Sequence, residues 1–259
     1  MKTIVACICI LASLNCAAAG IPVLTYHQIT NDAPAGETVI SSKLFEQEMQ
    51  YLHEAGYQTI SSEELVDVMN KKMPLPDKAV VITFDDGWVS VLNGVPVLDS
   101  YHMKASFNII SGTLTGKYGP DYLSATQIKY LTSNKNFEIE SHSVTHPWKD
   151  HNNLVSWDEG KTEGRGTSDV HREIVDSKAT LDALGEHVKL IAWPSGWYNQ
   201  HLLELAKQAG YEGAMMAWGE GGNSPGDDPF QIKRINISGV CNIAQFKQIV
   251  EHSNSVPCK

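Results

Sequence analysis

Seven short apolar runs, separated by segments with helical spacing, constrain this chain more than any other feature of it. The runs fall at 23–27, 79–86, 104–110, 137–144, 189–195, 212–218 and 231–238, and each is rich in apolar or β-branched residues, as strands are. Between them Leu44, Phe45, Met49, Leu52 and Ala55 recur at helical spacing after Ser41-Ser42, and Gly56 closes the segment. Ser61 with Glu64, and Ser124 with Gln127, have the spacing of capping boxes that open helices. Further helices are expected over 170–184 and 201–209, each ending at a glycine, and a last one opens at 242–245. Strands alternating with helices predict a parallel sheet wound by right-handed crossovers, with both faces of its strands buried. No repeat or linker divides the chain, so 20–259 reads as one domain. The rhythm breaks at 149–168, which is polar, Gly-rich and carries Trp157 in isolation. A segment of that kind is expected to be a lid over a cleft or a mobile insertion.

The first 19 residues stand apart. Lys2, the apolar stretch 4–14 and Ala17-Ala18-Ala19 before Gly20 form the charged, hydrophobic and small-residue regions of a secretory signal. A lipid anchor at Cys16 fits less well, because Ser13-Leu14-Asn15 is a poor lipoprotein cleavage box. No later run is long enough to span a bilayer, so a secreted or periplasmic protein without a transmembrane anchor is expected. Cleavage would leave only Cys241 and Cys258, which read as one disulfide pinning the C-terminal tail, with two free thiols as the alternative. The 259 residues carry 20 Lys+Arg against 30 Asp+Glu, a formal charge of -10. That balance argues against a nucleic-acid partner and is compatible with an acidic cleft that holds a cation.

Three strand ends carry chemistry. The run 80–84 drives into Asp85-Asp86-Gly87, two adjacent acids that would repel unless a cation or a proton separates them. An ordinary Asp-Asp-Gly turn is the plainer reading of that motif alone. The second run ends in His142-Ser143-Val144-Thr145-His146, whose histidines would share one face of a helical turn. His142, His146 and one carboxylate would make a two-histidine, one-carboxylate metal site with open positions. The third run breaks at Pro194-Ser195-Gly196, followed by Trp197 and Tyr198; taken alone, it reads equally as an ordinary strand-to-loop exit. Trp88, Trp148, Trp193, Trp197, Tyr198 and Trp218 adjoin these ends and suit stacking on sugar rings, although core packing is the favoured expectation for Trp193 and Trp218.

Thr83–Gly87, His142–His146 and Pro194-Ser195-Gly196 together resemble the polysaccharide deacetylase family, carbohydrate esterase family 4. The resemblance runs from Pro22 to about Gly239 and includes Val23-Leu24-Thr25-Tyr26-His27, Ala105-Ser106-Phe107, Glu173-Ile174 with Ser177-Lys178, and Ala209-Gly210-Tyr211. The opening strand and Arg234-Ile235 look most like the branch that deacetylates extracellular poly-N-acetylglucosamine. What the resemblance implies is a distorted (β/α) barrel, parallel and often seven-stranded, with functional residues at the C-terminal strand ends. It also implies Asp86, His142 and His146 as ligands of a divalent metal, commonly zinc (Zn2+), and Asp85 as catalytic base. The backbone N–H at Ser195 would stabilise the oxyanion, with Trp197 and Tyr198 near the substrate, an acetylated glycan polymer.

The chain departs from the family pattern in three places, one of them the fourth motif, an Asp pair with Trp, which only Trp218 partly represents. Ala192 stands where an arginine usually orients the base, and the usual Leu-x-His is absent, with Asn236-Ile237-Ser238 in roughly that region. First and last strands are neighbours in a closed barrel, so Arg234 is expected to supply the missing positive charge to Asp85, and His27 the missing acid. A core histidine is the alternative reading of His27. The expected function is N-deacetylation of an N-acetylglucosamine polymer. An O-acetyl esterase on xylan or another glycan, and a non-catalytic glycan-binding protein, are the alternatives.

Overall fold

The computed structural model describes residues 20–219 and 221–258, so the leader expected over 1–19 lies outside the described residues. Each of the seven runs holds one strand: β1 (Val23–Tyr26), β2 (Ala79–Phe84), β3 (Ala105–Ile109), β4 (Phe137–Ser141), β5 (Leu190–Ala192), β6 (Gly213–Met215) and β7 (Ile235–Asn236). They lie in the order β6-β5-β4-β3-β2-β1-β7, with every pairing among them parallel. Ile232 also bridges in parallel to Met215, while Ile235 pairs with Leu24. One short segment therefore touches both edges of the curled sheet, the distorted (β/α) barrel that was expected. It sets Arg234 between them.

Alternation along β2 shows how the barrel is filled. Val80, Ile82 and Phe84 join a large apolar cluster with helix residues such as Phe45, Met49 and Leu52, whereas Val81 belongs to a second cluster with Val23, Leu190, Met215 and Leu65. Thr83 and Asp85 share the parity of Val81 and so face the barrel interior. Among the described residues eight α-helices surround the sheet: α1 (Ser42–Glu54), α2 (Ser62–Met69), α3 (Val95–Ser100), α4 (Ala125–Thr132), α5 (Leu154–Asp158), α6 (Thr167–Asp182), α7 (Gln200–Gln208) and α8 (Ile243–His252). Both expected capping boxes form, Ser61 with Glu64 on α2 and Ser124 with Gln127 on α4. The segment 149–168 is folded rather than loose. Trp148–Lys149 and Asn152–Asn153 pair antiparallel, and α5 buries Trp157 beneath the Arg165 guanidinium, 4.5 Å from its ring. Elements of two to five residues are too short to show a period in sequence.

Cys241 and Cys258 form the disulfide, 17 residues apart with Cα atoms separated by 4.8 Å. Closing a loop of that length stabilises the fold by about 3 kcal/mol through the entropy of the unfolded chain. No helix among the described residues is long and apolar enough to cross a membrane.

A buried pair couples β1 to α1. The Tyr26 hydroxyl donates to Glu48 Oε2 at 2.8 Å, while Glu48 Oε1 is buried without a hydrogen-bond partner. Burial pushes the Glu48 carboxyl up to about 8, against the pull of the Tyr26 hydrogen bond. A carboxyl raised in the folded state contributes stability that is complete below its unfolded pKa of about 4.5 and is lost as pH rises toward 8. Unfolding free energy is expected to fall through that window by about 1.4 kcal/mol per pH unit at most. Glu48→Gln should flatten the slope in urea titrations at several pH values; an equally steep slope in the variant would contradict the assignment.

Candidate active site

All three chemical motifs open into one cleft of 660 Å³, lined by His27, Asp85, Asp86, His142, His146 and Ser195 among others. The backbone brings both acids there. Asp85 continues the β pairing, its N–H donating to Tyr26 O at 2.9 Å. Asp86 then takes φ 71 and Gly87 φ 78, so the chain reverses and the second carboxylate returns to the same side. A left-handed aspartate costs about 1–3 kcal/mol. The Trp88 indole N–H holds it, donating to Asp86 Oδ2 at 2.9 Å.

His142 leaves the end of β4 almost fully buried. Its Nδ1 lies 2.8 Å from Ala192 O, which fixes the proton on that nitrogen and leaves the Nε2 lone pair facing the acids. Nε2 is 3.5 Å from Asp86 Oδ1 and 3.7 Å from Asp85 Oδ2, and His146 Nε2 is 3.7 Å from Asp86 Oδ1. The helical turn expected between the histidines is absent. They meet instead across a loop in which Ser143 (φ 63) and His146 (φ 53) are left-handed. Glu173 of α6 holds this loop by accepting from the Val144 and Thr145 N–H groups at 2.8 and 2.7 Å and from the Thr145 hydroxyl at 2.6 Å. Gly112 closes it from the other side, its N–H donating to Val144 O at 2.9 Å; a Cβ at 112 would lie 2.4 Å from that oxygen. Spacing gave no sign of either support.

One ligand atom each from Asp86, His142 and His146 lie within 4.8 Å of one another. The contacts are too long for good hydrogen bonds, and two imidazole nitrogens with a carboxylate fit a divalent transition metal with positions left open. Burial lowers His146, with help from His142, to about 4, so its nitrogen keeps a free lone pair at neutral pH. Burial raises Asp86, but His142 and His146 outweigh it and bring the carboxyl to about 2. A second acidic group, Glu63, Glu138 and Glu140, sits elsewhere in the barrel. Glu138 Oε1 there accepts from the Ser62 N–H and the Ser106 hydroxyl, and Glu140 Oε2 from the Lys189 and Leu190 N–H groups.

Asp85 is handled differently. The Arg234 guanidinium donates to both its oxygens, at 2.8 Å to Oδ1 and 2.9 Å to Oδ2, and its Nε donates to Met216 O at 2.5 Å. The Asn108 amide donates to Oδ1 at 2.7 Å. Burial alone would raise Asp85; Arg234 and then His142 outweigh it and hold the carboxyl well below the usual carboxylate range. His27 lines the same cleft with Nδ1 buried and unpartnered. Burial lowers its pKa, and Asp85 and Asp86 pull the other way.

Ser195 reaches the cleft on a left-handed residue, φ 50, followed by Gly196 at φ 71, where a Cβ would lie 2.8 Å from Ala217. Trp197 and Tyr198 are not among the lining residues. Trp197 packs edge-on to Trp218, and Tyr198 stacks on Trp193 with its hydroxyl on Met216 Sδ. Trp193 is fully buried, as expected, but Trp218 is 59% exposed because its strand stops at Met215 and the chain turns out to the cleft rim. Trp88, Tyr122 and Trp148 complete the aromatic lining.

A parallel barrel that gathers two histidines and two carboxylates at the C-terminal ends of its strands defines a class of barrel proteins with a candidate metal centre in the mouth. The polysaccharide deacetylase family model matches residues 72–214, and the chain belongs to that family. YxkH of Bacillus subtilis (strain 168), named for the same family, is 28% identical over 235 residues, 90% of this chain and 77% of that protein. The poly-beta-1,6-N-acetyl-D-glucosamine N-deacetylase of Escherichia coli (strain K12) is 24% identical over 266 residues; the match covers 88% of this chain but only 38% of the relative. Among solved structures, the Streptococcus pyogenes deacetylase PplD in complex with acetate superposes with TM-score 0.75 at 27% identity, covering 89% of this chain and 98% of that one. IcaB from Ammonifex degensii shares the fold, with TM-score 0.76 at 24% identity over 92% and 98% of the two chains.

Proposed function

We propose that this chain is a secreted, metal-dependent hydrolase that removes N-acetyl groups from an N-acetylglucosamine polymer. The observation that carries the reading is the division of labour between adjacent acids: Asp86 joins the two histidines, while Asp85 is kept ionised beside them by Arg234 and Asn108. Asp86, His142 and His146 would hold a divalent ion, zinc by the donor set. When bound, such an ion supplies Lewis acidity toward an amide carbonyl and lowers the pKa of water.

The chain's own groups do the rest. Asp85 takes a proton from the attacking water as its oxygen bonds to the acetyl carbon. The N–H of Ser195 donates to the oxyanion that develops there. Protonated His27 hands a proton to the leaving nitrogen, the C–N bond breaks, acetic acid and a free amine depart, and the proton held by Asp85 restores the one His27 gave up. Arg234 and His27 thereby replace the arginine absent at Ala192 and the absent Leu-x-His. The rim aromatics Trp88, Tyr122, Trp148 and Trp218 offer faces to sugar rings. The name of the Escherichia coli relative points to poly-β-1,6-N-acetylglucosamine as the polymer. The disulfide and the leader-like N-terminus fit an oxidising, extracytoplasmic location.

Acetate release is to be compared on poly-N-acetylglucosamine, chitooligomers, peptidoglycan fragments and O-acetylated xylan oligomers. Release from an N-acetylated polymer is expected. Release from xylan alone would make the protein an esterase, and glycan binding without acetate, metal loaded, would make it a binding protein.

A further inference from the structure

Asn108 sits near the C-terminal end of β3, fully buried, on the face that looks into the barrel. Its amide nitrogen donates to Asp85 Oδ1, yet its own carbonyl oxygen is buried with no hydrogen-bond partner. Burying an unpaired carbonyl is unfavourable, and a leucine of similar shape would avoid it. The donor half of the side chain is therefore the half that the site uses.

A carboxylate oxygen has two lone-pair sites. Asp85 Oδ1 receives both Asn108 and an Arg234 N–H, so it is full. Oδ2 receives only the other Arg234 N–H, and it is the oxygen that lies 3.7 Å from His142 Nε2. Two parallel bonds from one planar guanidinium leave the carboxylate able to pivot about the line of the fork. A third donor, coming from a different strand, removes that freedom. We infer that Asn108 is a positioning residue: by filling Oδ1 and fixing the carboxylate plane, it makes Oδ2, on the metal-ligand side, the oxygen through which Asp85 takes the proton. This rests on Asp85 being the base, as proposed above.

Asn108→Leu keeps the branched four-atom skeleton of the side chain, with somewhat more bulk, and removes both the donor and the orphaned carbonyl. The expected result is a kcat 10- to 100-fold lower, since a small misplacement of a reacting group costs rate on that order. KM, metal content by elemental analysis and the melting temperature should be unchanged, or the last raised. Should Asn108→Leu fail to fold, Asn108→Ala removes the same donor without adding branched bulk, and the same split of kcat from KM is expected. A kcat within twofold of the parent, or a lower melting temperature with kcat per folded molecule unchanged, would overturn the inference and leave Asn108 a packing residue. Asp85→Asn separates the two levels. If that variant stays active the base assignment fails; if it is inactive while Asn108→Leu is fully active, only the role of Asn108 fails.

Discussion

Asp85→Asn is expected to lower kcat by about 10²–10⁴-fold, the usual worth of a general base, without loss of metal. The separation of these two effects follows from geometry. Asp85 is not one of the three converging donors, so its removal leaves Asp86, His142 and His146 in place. The substituted amide can still accept from Arg234 through its oxygen, which keeps the buried guanidinium from losing every partner. Steady-state kinetics with elemental analysis of the same sample measures both quantities. Full activity, or a parallel loss of metal and rate, would contradict the assigned roles.

The second large effect is expected at Arg234. Its guanidinium is as buried as the carboxylate it grips, and it arises from the segment that joins both edges of the sheet. Arg234→Ala leaves a buried carboxylate without its cation, a change that costs about 3–5 kcal/mol of stability. With Arg234 gone, the burial that already pushes Asp85 upward loses its main opponent, so the carboxyl moves up toward its protonated, inactive form against the remaining pull of His142. Arg234→Lys restores a charge but not the two-point grip on Asp85 or the Nε bond to Met216 O. The lysine variant should therefore recover stability more than activity, as read by urea unfolding beside kcat. Equal recovery of both, or wild-type kcat in either variant, would contradict the clamp.

Much of this site was legible before the fold was known, for physical reasons that particular residues illustrate. The runs ending at Asp85 and His142 announced themselves because a buried parallel strand is apolar along its length, so polar residues at its end stand out. Arg234 was reachable because barrel closure makes first and last strands neighbours. Asn108 was not, because a polar residue inside an apolar run gives no hint of a partner 23 residues away. Glu173 was visible only as part of a resemblance; its work on the histidine loop depends on left-handed backbone at Ser143 and His146, which spacing mistook for a helical turn. Trp218 was misplaced because an apolar run does not show where its strand ends. The segment 149–168 looked structureless because its hairpin and α5 are too short to be periodic.

Acetate release from poly-β-1,6-N-acetylglucosamine by one preparation, taken through chelation and then zinc restoration, tests the central claim most directly. Release by the purified protein, none after chelation, and recovery when zinc is returned are the expected results. Undiminished release by the chelated protein, confirmed metal-free by elemental analysis, would contradict that claim.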